Sequence, residues 1–179
     1  MDGYEKLWKN LIDTMKEQQL KIGFFDGEVR LYYPLVTLNH FFGATDTQEE
    51  MCQRLAKHPK KWEETLGKMQ VSAKDERFCF LIPKEGSEYV RDHSKPDEFI
   101  AQLISLVGAH GTTMEQIRDL FYQKTDKVEE KLMHNGEFDC MLRFLDDAED
   151  PYYYCFKNEG CHLTYHRFLP ADYEEFGFE

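Results

Sequence analysis

A chain of 179 residues with 41% hydrophobic and 15% aromatic content carries enough apolar surface for one domain or two small ones, and is unlike a disordered chain. Its formal net charge of −12 works against DNA and anionic membrane surfaces, which are held mainly by cationic side chains. Its longest apolar runs, such as Leu103-Ile104 and Leu106-Val107, stop far short of the roughly 20 residues that span a bilayer. Met1-Asp2-Gly3-Tyr4-Glu5 shows no basic region followed by an apolar stretch, so no secretory leader is expected.

The first element is an amphipathic helix. Tyr4, Leu7, Trp8, Leu11, Ile12 and Met15 recur at helical spacing, Asp2 precedes Glu5 as a cap, and Gly23 with Asp26-Gly27 ends the segment. From Leu31 to Phe42 the spacing of Leu35, Leu38, Phe41 and Phe42 predicts a second helix, with Pro34 in its first turn and Gly43 terminating it. Thr47 and Glu50 form a capping box for a third helix carrying Met51, Cys52 and Leu55. Pro59 breaks the chain. Strands follow at about Lys68–Ser72 and Arg77–Ile82, the second alternating Phe78, Phe80 and Ile82. Pro83 opens a short helix with Tyr89 and Val90.

Pro96 opens a helix along Phe99, Ile100, Leu103, Leu106 and Val107, stopped by Gly108 and Gly111. Thr112 and Glu115 form the expected cap of the next helix, lined by Ile117, Leu120 and Phe121. Phe138, Cys140, Leu142 and Phe144 alternate as a strand. Tyr152–Lys157 and Cys161–Phe168 read as a β-hairpin around Asn158-Glu159-Gly160. Ala171–Phe176 forms a last helical turn.

The two halves echo each other. Laying Gly43-Ala44 on Gly108-Ala109 brings Leu38 onto Leu103, Thr47 onto Thr112, Glu50 onto Glu115 and Leu55 onto Leu120; after a small gap Phe78 and Phe80 meet Leu142 and Phe144. The shared order, two helices then a β-hairpin, is winged-helix-like. The expected fold is therefore α+β: an N-terminal helix over 1–29 and two winged-helix-like halves over 30–93 and 94–179. An internal duplication and the shared grammar of helical hairpins both account for the echo.

A winged helix that reads DNA needs a basic recognition helix before the wing. The first-half candidate, Lys57 to Glu64, offers Lys57, Lys60 and Lys61 as nucleic-acid contacts, but Pro59 interrupts it and Glu63-Glu64 follow. In the second half Lys124–Lys131 carries Asp126, Glu129 and Glu130. Charge therefore favours a protein or peptide partner over nucleic acid.

The densest reactive cluster lies in the last hairpin. If Phe156 pairs with Cys161, Cys155 faces His162 across the strands, with His166 further along the same face. A Cys–His pair can be a nucleophile with its base, or two metal ligands, so Cys155, His162 and His166 are the catalytic candidates. A half-exposed sheet face with polar residues outward is the simpler reading. A working site would need a wall, supplied by the N-terminal helix or by Ala171–Glu179. The acidic run Asp146, Asp147, Glu149 and Asp150 reads as a solvated turn, and Tyr152-Tyr153-Tyr154 as sheet residues. The five cysteines, odd in number and without a Cys-x-x-Cys pair, suit a reducing cytoplasm better than a disulfide or zinc framework. No phosphate-binding loop, zinc-protease or nucleophile-elbow motif is present, no cofactor is called for, and the reading leans away from an enzyme.

The stretches Arg30-Leu31-Tyr32-Tyr33-Pro34-Leu35, Arg77-Phe78-Cys79, Asp150-Pro151-Tyr152-Tyr153-Tyr154-Cys155 and Tyr165-His166-Arg167-Phe168 resemble a small bacterial family of uncharacterised proteins from gut anaerobes, known as a domain of unknown function. The resemblance covers nearly the whole chain. It implies a bacterial cytoplasmic protein and transfers no activity, substrate or catalytic residue. The expectation for function is a non-catalytic binding or regulatory protein; a winged-helix DNA-binding regulator and an enzyme or metal site on the C-terminal hairpin are the alternatives.

Overall fold

The computed structural model describes residues 2–24 and 26–177. The chain is α+β and divides into two compact units, Met1–Lys95 and Pro96–Glu179. In the first, α1 (Gly3–Ile22) is capped as its sequence dictates: Asp2 Oδ1 accepts the Glu5 amide at 2.8 Å. Its stripe of Leu7, Leu11 and Met15 is buried in the core with Leu38, Met51, Trp62, Phe78 and Phe80. This helix is thus an integral part of the first unit's core. No helix among the described residues is long and apolar enough to cross a membrane.

The segment expected as one helix from Leu31 splits in two. Val29–Pro34 is strand β1, and α2 runs only from Leu35 to Phe42. Helical spacing of the leucines competes here with alternation: Leu31 and Tyr33 point inward while Arg30, Tyr32 and Pro34 point out. Alternation prevails because β3 (Arg77–Ile82) supplies an antiparallel partner along the whole stretch, Val29 opposite Ile82 through Pro34 opposite Arg77. Pro34 sits in extended backbone at the helix entrance, with φ −64° and ψ 152°, on an edge strand where its missing N–H costs no ladder bond. The inward Tyr33 donates its hydroxyl to the buried Asn10 Oδ1 at 2.6 Å.

The turn from α2 to α3 (Gln48–Leu55) needs Gly43, whose φ of +58° and ψ of 40° is the left-handed cap conformation. Thr47 and Glu50 make the expected capping box. Arg54 clamps Asp46 with two bonds, Nε to Oδ2 at 2.6 Å and Nη2 to Oδ1 at 3.0 Å, and this pairing holds the Asp46 carboxyl below its ordinary range. After α4 (Lys61–Leu66), β2 (Gln70–Lys74) turns into β3 through Asp75 and Glu76, both with positive φ, as a two-residue hairpin requires. The sheet order is β1-β3-β2, and α5 (Lys84–His93) closes the unit.

The second unit pairs α6 (Phe99–Gly108) and α7 (Met114–Lys124) over a four-stranded antiparallel meander, β4 (Val128–Leu132), β5 (Cys140–Phe144), β6 (Tyr153–Asn158) and β7 (Leu163–Phe168), followed by α8 (Pro170–Glu175). The cap of α7 is not Thr112 with Glu115 but the next pair along, Thr113 with Gln116. Thr112 serves the preceding helix instead, donating to the Leu106 and Ala109 carbonyls. Lys124, expected to open a recognition segment, is the last residue of α7, and the chain then enters β4. Cys140, Leu142 and Phe144 join the core beneath α6 and α7, whereas Phe138, before the strand, turns to the opposite face with Met141 and Cys155.

Set side by side, the units share a helix pair and a hairpin, with α4 intervening between them in the first, but differ in what completes the sheet. In the first, the strand beside β3 comes from before the helices; in the second, the strand beside β5 comes from after the hairpin. Gly43 caps α2 with a left-handed backbone, while Gly108 is the last helical residue of α6 and Gly111 takes the positive φ.

Candidate functional site

The C-terminal hairpin closes in a different register from the one its turn residues suggested. Phe156 lies opposite Tyr165, not Cys161, and Asn158 opposite Leu163. Glu159 to His162 form the loop, with the Glu159 amide bonded to the His162 carbonyl at 3.0 Å. The slip from Cys161 to Tyr165 is an even number of residues, so the faces survive it: Tyr152, Tyr154, Phe156, Leu163 and Tyr165 all line one buried cluster. The cross-strand pairs do not survive. Cys155 faces His166, and His162 stands in the loop, its Nδ1 3.4 Å from the exposed Cys161 Sγ.

Cys155 is fully buried with Met141, Tyr153 and Tyr173, while His162 and His166 are exposed. Burial pushes the Cys155 thiol up to about 12 and that of Cys140 to about 11, the direction opposite to an activated nucleophile. The wall sought for this face is α8, whose Tyr173 stacks on Tyr153 at 4.1 Å, and Cys155 is shut off from solvent among these side chains. Phe178 and Glu179 of that segment lie outside the described residues. Among the described residues no group of three or more His, Cys, Asp or Glu is placed to hold a metal ion. A small disulfide reagent at pH 8 should therefore label Cys52 and Cys161, which are exposed, and reach Cys140 and Cys155 only after denaturation; mass spectrometry of the labelled peptides reads the outcome.

Part of the acidic run is paired from within. Lys124 Nζ lies 2.8 Å from Asp147 and 3.2 Å from Asp150, over the faces of Phe99 and Phe144, and the Tyr154 hydroxyl donates to Asp150 at 2.9 Å. These groups tie the turn to the core. Lys57, Lys60 and Lys61 are exposed, but Lys61 stacks over the Trp8 ring at 4.2 Å, and Glu63 and Glu64 stand exposed one step on. The expected recognition helix is the six-residue α4, whose Trp62 and Leu66 are buried. The outward side of α3 carries Glu49, Glu50, Cys52 and Gln53.

What the sequence reading missed is the outer face of the three-stranded sheet. The meander of the second unit is covered on both sides, by α6 and α7 on one and by α8 on the other. The outer side of β1-β3-β2 presents Arg30, Tyr32 and Pro34, all exposed, beside Arg77, Cys79 and Leu81 and then Gln70, Ser72 and Lys74. Tyr32 is 55% exposed, and the Arg77 guanidinium lies 5.8 Å from its ring centroid. The strand alternation of 30–34 carried this signal. At the sheet's end, an open groove of about 490 Å³ runs past Leu35, Val36, His40, Ala44 and Glu76. Buried side-chain polar atoms among the described residues all have partners.

Comparison with known proteins returns one relationship. No curated protein and no solved structure matches the chain. A family model matches residues 4–177, nearly its full length. The chain belongs to the family described as "Domain of unknown function, E. rectale Gene description (DUF3877)".

Proposed function

We propose that this chain is a non-catalytic binding or regulatory protein of the bacterial cytoplasm that acts through a protein or peptide partner, and that its first unit meets the partner with the outer face of β1-β3-β2. The observation that carries the reading is the exposed Tyr32 on a sheet face that no helix of its own unit covers. A tyrosine held on a rigid strand gives a large contact area at small cost in side-chain entropy, which is why such residues anchor interfaces. The buried, high-pKa thiols of the second unit and its acidic turn, partly paired with Lys124, support a structural part for that unit.

A winged-helix reading is favoured by the order helix, strand, helix, helix ahead of the hairpin, with the short α4 inserted between α3 and β2, and by the sheet order β1-β3-β2. On that reading the scaffold serves protein contact. The outward acids of α3 would face phosphate, and a charge of −12 repels a polyanion. The test is a comparative capture from native lysate. Wild type should retain a defined partner that a Tyr32→Ala, Leu81→Ala chain loses, while a Lys57→Glu, Lys60→Glu chain keeps it. Equal recovery by wild type and the Tyr32 variant contradicts the reading. Salt-sensitive DNA binding that depends on Lys57 and Lys60 replaces it with the regulator.

A further inference from the structure

We propose that the outer face of β1-β3-β2 binds an acidic peptide segment in extended form, with carboxylates placed two residues either side of an aromatic or aliphatic side chain. The inference rests on the reading above that the protein works through a protein or peptide partner, and it specifies that partner's chemistry.

The register fixes the face as three rows: Arg30, Leu81 and Gln70; Tyr32, Cys79 and Ser72; Pro34, Arg77 and Lys74. These outward positions hold three cations and no carboxylate, in a chain whose acids outnumber its bases by 34 to 22. Among the described residues Arg30, Lys74 and Arg77 form no ion pair, although the exposed Arg91 pairs with Asp92 and the half-buried Arg54 with Asp46. Asp75 and Glu76 lie in the turn beyond the last row. The cations therefore stand at both ends of the face, with Tyr32, Cys79 and Ser72 in the row between them and the half-buried Leu81 beside Arg30.

The spacing selects an extended ligand. From Arg30 to the row of Pro34 is four residues along β1, or about 13 Å. An extended peptide turns every second side chain to the same side, so residues two before and two after a central one sit about 13 Å apart on one face. A helical ligand needs roughly nine residues to cover the same distance at 1.5 Å each. The central side chain would then lie on Tyr32, with Leu81 in the adjoining row, and the flanking carboxylates would reach the two arginines, whose planar forks bind carboxylates with paired, charge-assisted bonds. A short peptide feels mainly this local patch, because charges more than about 8 Å away are screened at physiological ionic strength. A nucleic acid extends over the whole acidic surface, and three phosphate contacts release too few counterions to offset that repulsion.

The probe is a capped, fluorescein-labelled peptide with Glu-Ser-Phe-Ser-Glu at its centre, titrated with the full chain and read by anisotropy. Saturable, salt-sensitive binding is expected, weakened about tenfold by Arg30→Glu with Arg77→Glu and comparably by Tyr32→Ala, and unchanged by Lys57→Glu with Lys60→Glu. All these positions are exposed, and near-ultraviolet circular dichroism checks that each variant folds. Equal binding of a peptide with Gln in place of both Glu overturns the inference. So does an oligothymidylate that binds as tightly with the same sensitivity to Arg30 and Arg77. A chain whose lysate partner depends on Tyr32 but which ignores the peptide sinks this inference alone; loss of the Tyr32-dependent partner as well sinks the functional reading with it.

Discussion

A Phe121→Ala chain should lose about 3–5 kcal/mol of stability in the second unit, the range for deleting a large aromatic side chain from a core. Phe121 is fully buried and touches four rings: Phe99 edge-on at 4.8 Å, Phe144 stacked at 4.9 Å, Tyr154 edge-on at 5.3 Å and Phe156 at 6.2 Å. Its removal opens a cavity between the helix pair and the meander, and each partner ring loses a directional contact as well as buried area. Both tryptophans, Trp8 and Trp62, belong to the first unit, and the two units have separate cores. Denaturant unfolding followed by tryptophan fluorescence should therefore keep its midpoint, while the tyrosine signal in near-ultraviolet circular dichroism shifts. Equal shifts in both signals would show that the two units unfold as one.

A Gly86→Ala chain should move the other signal. Gly86 lies in the first turn of α5 and is buried against the end of α4. A Cβ there would come within 2.6 Å of the Leu66 carbonyl oxygen and of Ile82 Cγ2. The first is backbone and cannot rotate away; Leu66 is itself fully buried, as is Ile82. Alanine gains about 0.8–1 kcal/mol over glycine in helix propensity, but overpacking a tight contact costs about 1–3 kcal/mol and occasionally more, so the net effect is destabilising. The tryptophan midpoint should fall, with Trp62 on the displaced α4. Gly108→Ala is the control: a Cβ at the end of α6 meets nothing within 4 Å, and stability should hold or rise.

Much of this fold was legible in the sequence, and the exceptions have physical causes. Helices with a single buried stripe and a good cap, such as α1 with Asp2 and α3 with Thr47 and Glu50, read correctly because every local preference points the same way. The stretch from Arg30 to Pro34 did not, because Leu31, Leu35 and Leu38 satisfy a helical spacing that only a distant partner, β3, overrules. That misreading hid the outward row of Arg30, Tyr32 and Pro34, and with it the candidate surface. In the last hairpin the apolar face read correctly, since alternation fixes faces. The register did not, because a four-residue loop containing Cys161 and His162 is indistinguishable by composition from a tighter turn followed by more strand. A Cys–His pairing depends on register, so the expected pair of Cys155 with His162 gave way to Cys155 opposite His166 while the core around them stood.

A photo-crosslinking amino acid placed at single positions in the cell tests most directly the proposal that a partner is met on the outer face of the three-stranded sheet. Position 32 should yield a discrete adduct on irradiation, and position 81 the same one more weakly, since Leu81 is half-buried in the adjoining row. Positions 57 and 162, exposed in the lysine segment and in the hairpin loop, should yield none. An adduct formed from position 57 or 162 with none from position 32 would contradict the claim and move the working surface to the lysine segment or the C-terminal hairpin.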